Sequence, residues 1–107
     1  MTQVGSSKFR THSSAASASA RLLKERTTSV VEMLQSTYFP GHSTTAKRVI
    51  ERHLIREFGL KPREATYHGS NVIEKLEIEG IFSHVPEDTA RNALLKINIR
   101  KLQKYSI

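Results

Sequence analysis

Apolar side chains recur every three to four residues over much of this chain, which is the spacing of amphipathic helices. The clearest example spans residues 44–58. Ser43 or Thr44 is suited to cap its N-terminus, and Gly59 stands where a left-handed residue commonly ends a helix. The residues that fall on one, mostly apolar, face of this segment are Ala46, Val49, Ile50, His53, Leu54 and Phe58. The pattern therefore predicts a helix at 44–58 with one face turned to a core, and His53 as a core or boundary residue.

Three further helical segments follow from the same pattern. Residues 20–39 read as a helix that the Pro40-Gly41 pair ends. Pro62 suits the first position of another helix, which His68-Gly69-Ser70 is expected to break. A short helix at 71–79 then follows, with Val72, Ile73 and Leu76 on its buried edge and Glu74, Glu77 and Glu79 in water.

The C-terminal segment admits two interpretations. As a helix, residues 86–104 have acids in the first turn and bases after them, which complements the helix dipole. As strands, residues 81–85 and 93–99 would pair, because Leu95, Ile97 and Ile99 alternate with polar residues in the period of a half-buried strand. A short helical tail would follow the second strand. The pattern leaves both readings open.

The fold class predicted is therefore mostly α, a small bundle of three to five helices over residues 21–107. Residues 1–20 are rich in Ser and Ala, with Met1, Val4 and Phe9 as their only large apolar side chains. Such a segment cannot offset its ordering entropy by burial, so it is expected to be a flexible basic N-terminal tail that becomes helical from about Ala15.

The strand interpretation resembles a winged helix, an α+β arrangement with a two-stranded wing, here at 81–99. The resemblance covers residues 29–99, and the segment NVIEKLEIEGIF is similar to a third helix running through Gly into a wing strand. In many winged helices the third helix reads bases in the DNA major groove with Arg, Lys, Asn or Gln. Here Asn71 and Lys75 are the only suitable readers, so the resemblance does not imply sequence-specific reading by this helix.

Composition narrows the possible functions. The chain has 107 residues, 17 Lys and Arg against 10 Asp and Glu, and a formal net charge of +7. Its length suits one small domain. Because Cys is absent, a disulfide framework, thiolate metal sites and a Cys nucleophile are excluded. No apolar run approaches the length of a transmembrane segment.

The charge is unevenly distributed along the chain. Residues 1–26, 44–63 and 91–107 carry +4, +4 and +5, whereas residues 27–43 carry −1 and residues 64–90 carry −5. Basic blocks attract nucleic-acid phosphate or acidic protein partners. The candidate binding residues are accordingly the basic side chains of the tail, of one helix face and of the C-terminus: Lys8, Arg10, Lys47, Arg48, Arg52, Arg56, Arg63, Arg100, Lys101 and Lys104.

The residues do not predict chemistry at a catalytic or metal site. His53 with Glu57, and Glu64 with His68, have a four-residue spacing, yet no paired-histidine motif accompanies them. No phosphate-binding glycine loop or nucleophile elbow is present, and Asp88 is the only Asp. We therefore expect no enzyme activity, no metal site and no cofactor.

Two functions fit these features. One is a non-catalytic basic module that binds DNA or RNA, or a ribonucleoprotein, without reading sequence. The other is a small accessory subunit of a large protein complex. An intracellular location is expected, in the nucleus, the cytoplasm or the mitochondrial matrix. The mitochondrial matrix is included because residues 1–24 contain Arg and Ser but no acidic residue, a composition typical of transit peptides.

Overall fold

The computed structural model describes residues 4–85 and 94–105, and the side chains from residue 19 onward. Four helices and three short strands make up this part of the chain. They are α1 (Val4–Thr37), β1 (Thr44–Ala46), α2 (Lys47–Phe58), α3 (Pro62–Ile78), β2 (Phe82–His84), β3 (Leu94–Ile97) and α4 (Ile99–Lys104). The α-dominated fold predicted from the sequence is confirmed.

The first helix is longer than its apolar pattern indicates. It begins at Val4 rather than at about Ala15, so it includes most of the segment predicted as a tail. Ala, which has the highest helix propensity, occurs repeatedly between residues 15 and 20. Toward the other end, Val30 and Leu34 are fully buried, as predicted for the core-facing side of this helix.

The predicted helix at 44–58 begins three residues late. Thr44–Ala46 form β1, and α2 starts at Lys47 without a capping side chain, so the assignment of Ser43 or Thr44 as its cap was wrong. Thr45 is buried, and its Oγ1 accepts a 2.8 Å hydrogen bond from the Tyr38 hydroxyl. Pairing with β3 holds this segment extended, a conformation that β-branched Thr favours.

The three strands form one antiparallel sheet in the order β1-β3-β2. In the central strand Leu95 and Ile97 are buried and Lys96 is exposed, which is the alternation expected of a half-buried strand. The strand interpretation of the C-terminal segment is therefore confirmed for residues 94–97, and α4 is the short helical tail. The intervening residues 86–93 lie outside the described residues.

Helix α3 is continuous from Pro62 to Ile78, so the break predicted at His68-Gly69-Ser70 was wrong. Gly69 is buried at the contact with α2. A Cβ on residue 69 would lie 3.2 Å from Cγ of Glu51 and 3.9 Å from Cδ1 of Leu54. Glycine at this position thus allows the two helices to approach closely. It does not interrupt α3.

From α1 to β3, the order is helix, strand, helix, helix, strand, strand, as the winged-helix alternative predicts, with β1 added. Gly59 has φ +66° and its N–H donates to the Ile55 carbonyl, so its role as the helix terminator is confirmed. One core joins the helices to the sheet. Its largest fully buried side chains are Leu34, Ile50, Leu54, Leu76, Ile81 and Leu102.

Candidate nucleic-acid interface

The exposed side of α2 carries three arginines, Arg48, Arg52 and Arg56, which we call the arginine face. Each is exposed, and Arg48 and Arg52 lie two residues from Ile50, about 200° around the helix from this fully buried side chain. Successive members are four residues apart, so the three guanidinium groups extend over about 12 Å of helix. The predicted row of arginines is thus exposed on the side away from the core.

Few of these charges are neutralised within the protein. Arg48 and Arg52 form no ion pair with any of the residues described. Arg56 Nε lies 3.9 Å from Glu57 Oε2, with both side chains at least half exposed, and such a pair contributes little. Lys47 Nζ lies 4.0 Å from Glu51 Oε2. The arginine face is consequently free to bind an external anion.

The other candidate cations are distributed over three elements. Arg63 is exposed in the first turn of α3, one short loop after α2. Arg100, Lys101 and Lys104 are exposed on α4, which packs against α1. Lys8 and Arg10 belong to the N-terminal part of α1, where only the backbone is described. The arginine face and Lys47 are the largest group of candidate cations on one helix.

Two basic residues are engaged in internal packing. The guanidinium of Arg26 stacks over the Phe58 ring at 4.1 Å from its centroid and is mostly buried. Lys101 crosses over Gly80, where a Cβ would approach its Nζ to 2.6 Å. Gly80 has φ +82°, a conformation that glycine adopts without strain. A candidate ligand would therefore compete with an existing contact at Lys101.

The three glutamates near the end of α3, which are Glu74, Glu77 and Glu79, differ in their exposure to water. Glu74 is exposed as predicted, but the Glu77 side chain is 29% exposed and its Oε2 lies 2.8 Å from His84 Nε2 on β2. Glu79 Oε2 lies 3.0 Å from Lys75 Nζ. A hydrogen bond with Glu79 and burial together raise the pKa of Tyr105 to about 12, burial being the larger cause. Glu74 alone of these three carboxylates lacks a partner among the described residues.

Sequence reasoning missed two exposed apolar side chains on α3. Tyr67 is 66% exposed and Ile78 is 79% exposed. With a helix break assumed at 68–70, Tyr67 could not be assigned to the same surface as Ile78. A continuous helix with Gly69 and Val72 in the core would have placed both on its solvent side.

His53 forms a buried polar contact between α1 and α2, as its position on the apolar face predicted. It is 6% exposed, and its Nε2 shares a 2.7 Å hydrogen bond with Ser29 Oγ. Burial, reinforced by Arg56, lowers the pKa of His53 below its ordinary value of 6.5, against the opposing effect of Glu57 and the contact with Ser29. A serine and histidine in contact can serve catalysis, but here the histidine is enclosed in the helix interface.

This contact predicts a loss of stability in acid. Below pH 6.5 the unfolded chain takes up a proton on His53 more readily than the folded protein does, so the free energy of unfolding falls with falling pH. The contribution is complete above pH 6.5 and is lost as pH falls through the folded pKa. Urea unfolding at several pH values from about 5 to 8 measures this slope. His53→Gln should flatten it, and an unchanged slope in the variant would refute the assignment.

Among the described side chains, those of residues 19–85 and 94–105, no three from His, Asp or Glu converge as metal ligands would. No helix in the described ranges 4–85 and 94–105 is long and apolar enough to cross a bilayer.

No family model, curated protein or solved structure matches this chain.

Proposed function

We propose that this protein is a non-catalytic module that binds DNA or RNA through the phosphate backbone. The observation that carries the proposal is the arginine face, whose charges have almost no internal partners. Arginine forms bidentate, charge-assisted hydrogen bonds with phosphate oxygens. The length of the row, about 12 Å, corresponds to the axial rise of three to four base pairs of duplex DNA at about 3.4 Å each. Further contacts around it would come from the other candidate cations, which are Lys8, Arg10, Lys47, Arg63, Arg100, Lys101 and Lys104.

Binding to the phosphate backbone of the nucleic acid fits this protein better than recognition of individual bases. In the helix-turn-helix arrangement, the recognition helix presents donors and acceptors to base edges in the major groove. Here α3 presents Glu74 at the middle of its solvent side and the apolar Ile78 near its end. An unpaired carboxylate is repelled by phosphate. Binding is therefore proposed to be independent of sequence and to use α2.

The salt dependence of binding tests this proposal. Each phosphate contact contributes about 0.9 to the slope of log affinity against log salt concentration on duplex DNA. Three contacts alone should weaken binding about 40-fold between 50 and 200 mM salt. Fluorescence anisotropy of the full chain with a labelled DNA duplex and with a labelled RNA strand measures the slope for each polymer. Affinity that changes less than about twofold on both polymers would refute the proposal.

A second candidate function is that of an accessory subunit in a larger protein assembly, in the mitochondrial matrix or elsewhere in the cell. It is favoured by the exposure of Ile78 and Tyr67, because large apolar side chains on a surface commonly mark contacts with other proteins. Affinity purification from the native source, with and without nuclease, separates the two. Partners lost on nuclease treatment support the nucleic-acid module, and protein partners that remain support the accessory subunit.

A further inference from the structure

The solvent side of α3 carries a row of side chains that the fold leaves without a cover. Tyr67 and Ile78 are the most exposed large apolar residues in the described part of the chain. They are eleven residues apart, which returns a helix to nearly the same angle and separates them by about 16 Å. Val72 and Leu76 mark the opposite, fully buried side of the helix. The exposed row therefore spans about three helical turns.

Two grooves flank this row and meet at Glu74. The first lies between α3 and α1, has a volume of about 310 Å³, and includes Leu23 and Ile78 in its lining. The second lies between α3, the start of α2 and the strands, has a volume of about 200 Å³, and includes Ile73 and Leu95. Glu74 lines both grooves. The surface thus consists of a carboxylate on a ridge, with apolar side chains in the groove on each side.

The charge of this surface is opposite to that of the whole protein. The C-terminal half of α3, together with its C-cap Glu79, has three glutamates against one lysine, in a chain of net charge +7. Glu79 is held by Lys75 and Glu77 lies beside His84. Glu74 is exposed and forms no ion pair with the residues described. A cation is attracted to this position, and a nucleic-acid phosphate is repelled from it.

We propose that the C-terminal half of α3 is a docking surface for a basic amphipathic helix of a partner protein. The apolar side chains of the partner helix would pack on Ile78 and Leu23, and one of its Lys or Arg residues would pair with Glu74. A helix fits because a groove between two packed helices, here α1 and α3, accepts the side-chain ridge of a third helix. The inference rests on the second function proposed above, since it requires a protein partner.

Photo-crosslinking from α3 tests the docking surface. The full chain is expressed in cells of its native source with p-benzoylphenylalanine at position 78, and the extract is treated with nuclease before analysis. The same group at position 55, an exposed apolar residue on α2, is the matched control. We expect position 78 to crosslink a protein segment that has apolar residues at helical spacing and an excess of Lys and Arg, and position 55 not to do so.

Charge reversal then tests the pairing with Glu74. The crosslinked segment is synthesised as a peptide, and its affinity for the full chain is measured by calorimetry. Glu74→Lys should weaken binding at least tenfold, and replacing the facing Lys or Arg of the peptide by Glu should restore most of it. Glu32→Lys is the control, because Glu32 is an exposed and unpaired glutamate on α1. Equal effects of the two variants would overturn the inference.

The remaining outcomes distinguish this inference from the function on which it rests. Crosslinks to an acidic or extended protein segment would overturn the basic helix as the occupant and leave the accessory-subunit function standing. Crosslinks to a second copy of this chain would also overturn it, and the function would then be restated as self-assembly. Crosslinks to nucleic acid in an untreated extract overturn the docking surface alone. If no protein is crosslinked at position 78 and none copurifies, both the docking surface and the accessory-subunit function fail.

Discussion

Replacing Leu54 by Ala is expected to lower the free energy of unfolding by about 2–5 kcal/mol, the usual cost of emptying a leucine site in a packed core. Leu54 is fully buried on α2, and its Cδ1 faces the position where Gly69 lets α3 approach. The backbone contact limits how far the surroundings can collapse into the cavity. Domains of this size have about 5–15 kcal/mol in total, so the variant should be partly unfolded at moderate temperature.

The neighbouring residue provides a matched control for that experiment. Ile55 is on the same helix, about 100° further around it, and is 36% exposed. Ile55→Ala should change stability by about 0.5 kcal/mol or less, since exposed sites lose little packing and Ala is the better helix former. Urea unfolding followed by circular dichroism measures both midpoints, with an unchanged slope as the test that compactness is retained. Similar losses in the two variants would contradict the core assigned to Leu54.

Helix faces could be predicted from the sequence because their periodicity is local. Ile50 and Leu54 are buried and Arg52 is exposed, as the spacing alone indicates. The strand β1 could not be predicted in this way. Its three residues, Thr44–Ala46, are held by pairing with β3 about 50 positions later, and Thr suits a helix cap as well as a strand.

Glycine shows why local rules also mislead. At residues 59 and 80 it takes a positive φ at the end of a helix or in the turn after one, as sequence rules anticipate. Gly69 is in the middle of α3, where the same rules predicted a break. Its role depends on Glu51 and Leu54, which a single sequence does not place beside it. The error divided α3 in two and hid the shared surface of Tyr67 and Ile78.

The candidate binding site, like the fold, could be predicted only in part from the sequence. Positions of basic residues follow from the sequence, but their availability depends on tertiary contacts. Arg26 is stacked on Phe58 and Lys101 lies over Gly80, whereas Arg48 and Arg52 have no internal ion pair among the described residues. The number of basic residues therefore overstates the number of free cations, and α2 presents three exposed arginines in one row.

Surfaces of opposite sign on α2 and α3 suit a protein that joins two different partners. On the proposals above, the arginine face would bind a polyanion while the surface around Glu74 binds a basic protein segment. Each charge repels the other surface's ligand, so the two sites would favour correct placement of both partners by electrostatics alone. The fold keeps them apart by assigning each to the exposed side of its own helix, with Leu54 and Gly69 at the packed interface between them.

Replacing all three members of the arginine face by Ala is expected to have the largest effect on binding. If each arginine neutralises one phosphate, the slope of log affinity against log salt should fall by about 2.7, and affinity at 0.1 M salt by two to three orders of magnitude. Ala is a better helix former than Arg and the three side chains are exposed, so α2 should remain folded. Anisotropy with the labelled duplex, after circular dichroism of the variant, measures both quantities.

Two control variants separate local contacts from net charge. Replacing Arg21, Lys24 and Lys96 by Ala removes the same charge from other exposed positions, and should leave most of the slope intact. Replacing the three arginines by Lys keeps the charge but removes the planar fork, so it should retain the slope and lose part of the affinity. If the Arg21, Lys24 and Lys96 variant loses as much slope as the arginine-face variant, binding depends on overall charge, and α2 is not the contact surface.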